Sequence, residues 1–203
     1  MLKPIALAAL VVAGLAAGAS AQTPPKPLTL TLKTGSPREA QTKQQLERLL
    51  RTYGVKRWLF TSSVIIEGGV IPHSHPVLTL STRHLQDDEL LLSTFVHEQI
   101  HWLMEAHAEE SKKAKDDLRA LYPKVPVGFP EGADSEDSTY LHLLVNYLEY
   151  KADQELLGEL RARQVFEFWT HDHYTWIYTQ ILESEGKIAA VIRKHKLWVP
   201  DPG

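Results

Sequence analysis

The chain contains no cysteine. Disulfides are excluded, and so is any metal site built on thiolates; a metal ion would have to be held by His, Asp or Glu. Charge of one sign is equally scarce. The formal net charge is −3, and no basic stripe with interleaved aromatics occurs, which argues against nucleic acid as a partner. Long apolar runs are limited to one, from Ile5 to Ala17, broken only by Gly14. That is short for a bilayer span. With Lys3 before it and Ala19-Ser20-Ala21 after it, the run reads as a signal peptide over residues 1–21 that is cleaved after Ala21. The expectation is an exported chain, periplasmic or secreted, with no stable membrane anchor. No internal repeat and no second domain are visible.

What remains divides simply. Residues 22–35 read as a linker or extended N-terminal segment, opening with QTPPKP, and residues 36–203 as one domain. Within it, SPREAQTKQQLERLLRTYG has Ser36 as N-cap, Pro37 at the first helical position, Glu39 as capping-box partner and Gly54 as terminator. From 55 to 82 the period changes to that of strands, with Trp58, Phe60 and Val64-Ile65-Ile66, a Gly68-Gly69 turn and the alternating run VLTLSTR at 77–83. A helix capped by Asp87 or Asp88 follows. After a surface loop over 123–137, two more helices are expected, about Ser138 to Arg163 and about Tyr174 to Lys194. The reading is α+β: a small antiparallel sheet packed on a central helix, followed by a mostly helical C-terminal half.

Chemistry concentrates in STFVHEQIHWLMEAH, residues 93–107. His97-Glu98-Gln99-Ile100-His101 matches the H-E-x-x-H pattern. Side chains four apart on a helix lie about 40° apart around the axis, so His97 and His101 can reach one ion. Glu98 lies about 100° round, placed to contact a water on the metal rather than the metal itself. Zinc lowers the pKa of such a water to about 7, and Glu98 acts as general base.

Catalytic zinc needs a third protein ligand. His107 has the spacing of the metzincin pattern, but the glycine of that pattern is Met104 here, a residue that favours continuing the helix. On a continuing helix His107 lies about 120° from His101 and out of reach. Metzincins also need a downstream methionine turn, and the two methionines are Met1 and Met104. His107 therefore reads as a helix-surface residue.

The alternative lies in LHLLVNYLEYKADQELL, residues 141–157. On a helical wheel His142, Asn146, Glu149 and Asp153 fall on one side, among apolar residues. They are either a solvated or satisfied polar patch or part of a site. In the second case Glu149 is the third zinc ligand. Asp153, with Asn146 near it, is then the hydrogen-bond acceptor that orients a ligating histidine.

This two-motif plan resembles the gluzincin metallopeptidases. EYKAD, residues 149–153, resembles the E-[FY]-x-A-D element of the CAAX-prenyl endopeptidase and heat-shock metallopeptidase family, although the multiple membrane spans of its integral-membrane members are absent. The resemblance covers roughly residues 77–157. It implies a zincin-like fold, one Zn²⁺ per chain, a peptide or protein substrate, and 77–83 as an edge strand that pairs with extended substrate. For the oxyanion or substrate, His142, His173 and Tyr174 are the candidates, ahead of His171 and Tyr178. His73 and His75 lack an evident third ligand and are read as loop histidines. The expected activity is zinc-dependent hydrolysis of peptide bonds. The alternative is an exported zinc-binding or structural protein with a peptidase-like fold and no proteolysis.

Overall fold

The computed structural model describes residues 27–199. Residues 1–21, expected to be a signal peptide, and the first five residues of the expected extended segment lie outside the described residues. No described helix is long and apolar enough to cross a membrane.

Three strands, β1 (Thr29–Leu32), β2 (Ser63–Glu67) and β3 (Leu78–Ser81), form one sheet in that order. Six helices follow the chain: α1 (Pro37–Thr52), α2 (Asp88–Ala106), α3 (Ala108–Leu121), α4 (Glu136–Leu157), α5 (Glu159–Trp169) and α6 (Thr175–Lys194). The class is α+β. Part of the segment read as extended is thus a strand, β1.

Every strand pair is parallel, not antiparallel as expected. Between β1 and β2 the chain crosses over through α1, which sets the two strands in the same direction. Between β2 and β3 the cause is less obvious, since only residues 68–77 connect them. The chain first returns along the far side of β3, where His73 and Thr79 form an antiparallel bridge. It then reverses and enters β3 between that returning segment and β2. The antiparallel partner of β3 is the loop, and β3 itself is turned back to run with β2.

Helix α1 begins as its sequence demands. Ser36 accepts from the Glu39 N–H, and the Glu39 carboxylate reaches back to the cap. Asp87 caps α2. The helix expected over 138–163 is two helices, because Gly158 adopts φ +85° and ends α4. Helix α2 also stops earlier than Met104 suggested. It ends at Ala106, with His107 as an exposed, non-helical residue before α3.

Helix α4 is the hub, packing against α2, α3, α5 and α6, while α2 also contacts α1 and β3. It is buried on most of its circumference, from Leu143, Leu144 and Val145 round to Leu148 and Ala152. That is the pattern of a central helix. Its polar residues are therefore buried with it.

Candidate metal centre

Helix α2 presents His97 and His101 one turn apart, and α4 brings His142 against them. The ligand atoms of these three lie within 4.8 Å of one another, and they are the one such group among the described residues. The Nε2 atoms of His97 and His101 are 3.3 Å apart. Two nitrogens bound to one tetrahedral zinc at about 2.0–2.1 Å would be separated by about 3.3–3.4 Å. The cluster can hold a metal ion.

Hydrogen bonds on the opposite ring nitrogens prepare it. His97 donates Nδ1–H to Glu149 Oε2 at 2.8 Å, and His142 donates Nδ1–H to the Ser138 carbonyl at 2.7 Å. The Ser138 carbonyl can only accept, which fixes His142 in the tautomer with a free Nε2 lone pair; Glu149, whose pKa burial raises to about 8, does the same for His97 when ionised. His101 has no hydrogen-bond partner on Nδ1 among the described residues, and its tautomer is free to do the same. Burial pushes the imidazolium form down to a pKa of about 4 at His97 and about 3 at His142. At His101 burial, then the neighbouring His97 and His142, push it well below the ordinary range. All three rings are neutral at pH 7, the form that ligates metals.

Glu149 occupies a different position from the one expected. It accepts from His97 Nδ1, from Ser93 Oγ at 2.6 Å and from the Tyr178 hydroxyl at 3.3 Å. Trp169 Nε1 in turn donates to Ser93 Oγ at 3.3 Å. Glu149 is the carboxylate that orients a histidine, the role expected of Asp153. His142, expected near the substrate, stands in the cluster where Glu149 was placed. The reason is depth along the helix. A wheel projects residues onto a circle, but seven residues of rise separate His142 from Glu149 by about 10 Å, so one packing partner cannot meet both at the same point. Helix α2 crosses so that the His97 ring spans the gap, Nδ1 toward Glu149 and Nε2 toward His142.

Asn146 and Asp153 are fully buried, and among the described residues no hydrogen bond of good geometry reaches their carboxamide or carboxylate atoms, although the Ser93 hydroxyl lies close enough to Asp153 to favour its charged form. Burial first, then the field of Glu149, drives the Asp153 carboxyl well above the ordinary carboxylate range. Among the described residues, neither is hydrogen-bonded to His97, His101 or His142.

Glu98 is 6 % exposed. Burial, then Glu149, raises its pKa to about 8. Near it lies Tyr174, whose hydroxyl is pushed up to about 12 by burial, then by Asp134 and Glu98. The Tyr174 ring lies 4.4 Å from that of His142, and its backbone is left-handed at φ 49°, a conformation that costs a non-glycine residue about 1–2 kcal/mol. It is held there because the loop over 123–135 caps α6: Pro130 and Glu131 carbonyls accept from Thr175 and Trp176 N–H groups. His173 donates Nδ1–H to Asp172 at 2.8 Å, and Arg83, just after β3, grips Asp172 with both terminal nitrogens. His173 Nε2 is left free among the described residues. His171 is exposed and bonded to the Glu167 carbonyl, away from the cluster.

Ser93, Tyr178, Arg83 and Asp172 had not been assigned these roles from sequence. Ser93 carried a usable signal, since it lies one turn before His97 on the same face of α2. The Arg83–Asp172 pair, 89 residues apart, carried none.

Two further expectations meet the structure here. The outward N–H and C=O of Thr79 in β3 are taken by His73, at 2.8 and 3.0 Å, so an extended substrate cannot pair with β3 at that residue. His75 is bonded through Nε2 to Glu105 at 2.7 Å and stacked on Trp102, and His73 points its Nδ1 at the Ile71 carbonyl. No known protein family, curated protein or solved structure matches the chain.

Proposed function

We propose that this protein is a zinc-dependent hydrolase of peptide bonds, built on a zincin-type plan in which an H-E-x-x-H helix meets a downstream ligand helix. His97, His101 and His142 would hold the ion through Nε2, three protein ligands being the number that catalytic zinc sites use. Glu149 fixes His97 rather than binding the ion. Zinc bound there supplies Lewis acidity, polarising the scissile carbonyl and acidifying water.

The protein's own groups do the rest. Glu98, next in sequence to a proposed ligand yet turned off the ligand face, would act in its ionised form, which the positive charge of a bound cation favours: it takes the proton of the attacking water and returns it to the departing amine as the C–N bond breaks. Its neighbourhood is dry, which keeps the proton on the reaction path. His173, braced by Asp172 and Arg83, and the Tyr174 hydroxyl are the donors available to the oxygen that gains charge. Export by the N-terminal segment remains part of this reading.

The observation that carries it is the convergence of three neutral imidazoles beside an unpartnered, buried glutamate. Elemental analysis of purified protein is the test. Wild type and Glu98→Gln are expected to hold one zinc per chain, His142→Ala to lose stoichiometric zinc, and only wild type to cleave peptides from a diverse library. Full zinc occupancy in His142→Ala would refute the ligand set.

A further inference from the structure

A groove of about 350 Å³ adjoins His101 and runs between the end of α2, the start of α3 and α4. Its apolar lining comes from Met104, Ala108 and Leu141. Two of its charged residues already have hydrogen-bond partners. Glu105 is bonded to His75 at 2.7 Å, and Lys115 to Asp137 at 2.6 Å. Lys112 lines the same groove and has no ion-pair partner among the described residues. It sits one turn into α3, whose start at Ala108 has no side-chain cap, so the first free N–H groups add to the positive field. Glu109 and Glu110 belong to that first turn but do not line the groove. Since His73 already covers β3 at Thr79, the groove offers substrate a route to the cluster that does not depend on strand pairing at that residue.

We infer that this groove is a specificity subsite for a carboxylate-bearing side chain, such as glutamate, close to the scissile bond of the substrate, with Lys112 as the residue that reads the charge. The apolar stretch takes the aliphatic stem, and the Lys112 ammonium meets the carboxylate at the far end. The inference rests on the peptidase reading above and names the substrate class for it.

The test uses the full zinc-loaded chain and matched fluorogenic peptides carrying Glu, Gln or Lys at each position within three residues of the cleavable bond. Wild type should prefer Glu over Gln at one position by about fivefold, the size of a partly exposed ion pair, and less so at high salt. Lys112→Ala should erase that ratio and Lys112→Glu should turn it toward Lys. Lys113→Glu, one residue on and outside the groove, should leave the ratio unmoved. Cleavage with no acidic preference, or a ratio that Lys113→Glu shifts as much as Lys112→Glu, would overturn the subsite and leave the peptidase reading standing. Anisotropy of labelled peptides on Glu98→Gln protein separates the two claims. Lys112-dependent binding of Glu over Gln peptides, with no cleavage by wild type, would uphold the subsite and sink the peptidase reading.

Discussion

Glu39 and Glu98 are both buried glutamates, 1 % and 6 % exposed, and they have opposite chemistry. Glu39 sits at the start of α1, where its carboxylate accepts from Thr34, Gly35, Ser36 and Gly68 backbone N–H groups and the Thr34 hydroxyl. Burial disfavours its charge, but these donors outweigh burial and hold its pKa at about 2. Glu98, in the middle of α2, has no such donors, and burial carries its pKa up to about 8. Burial by itself therefore does not say what a carboxylate is for. A carboxylate ringed by donors is a structural anchor; one buried without them gains and loses its proton near neutral pH.

The comparison breaks first at Glu98. Replacing it with Gln keeps size and burial while removing the base, and turnover should fall by about 10²- to 10⁴-fold with zinc retained. Steady-state kinetics on protein of verified metal content decide this, and unchanged turnover would remove Glu98 from the reaction. Glu149 tests the intermediate case of a buried carboxylate that has donors, one of them the proposed metal ligand His97. Glu149→Ala should weaken zinc binding by about 10- to 100-fold without abolishing it, read by competition with a chelator. Complete loss, matching His142→Ala, would mean that Glu149 ligates the ion after all.

At the structural end, Ser36→Ala removes one arm of the capping box and should cost about 1 kcal/mol in urea unfolding, with zinc content unaltered. The last expected effect is in acid. The folded pKa of Glu39 lies below its ordinary value of 4.5, so its charge stabilises the fold above about pH 4.5. That contribution fades as pH falls toward about 2. Glu39→Gln should flatten the pH dependence of stability across that window, and an unchanged slope would show that the network contributes little.

Local signals were the legible ones. The capping box of α1, the Asp87 cap of α2 and the pairing of His97 with His101 all depend on residues three or four apart, which a helix brings together regardless of the rest of the chain. The break at Gly158 was missed: the expected helix ran through it to Arg163, because an isolated glycine inside an apolar helical pattern does not by itself end a helix. Met104 misled in part: it favours helix, yet α2 ends two residues later, where His107 takes a non-helical conformation and α3 leaves in a new direction. Propensity sets a preference, and packing decides where a helix stops.

The sequence by itself determined which residue types were available for a metal, that none was cysteine, and that His97, Glu98 and His101 share one helix in a fixed arrangement. It also narrowed the partner face to His142, Asn146, Glu149 and Asp153. Only the tertiary structure decided among those four. A helical wheel records angle and discards depth, and the point at which α2 crosses α4 selects His142 for the cluster and Glu149 for the His97 Nδ1 proton. The direction of β3 was decided in the same way, by a returning loop whose course no local pattern encodes.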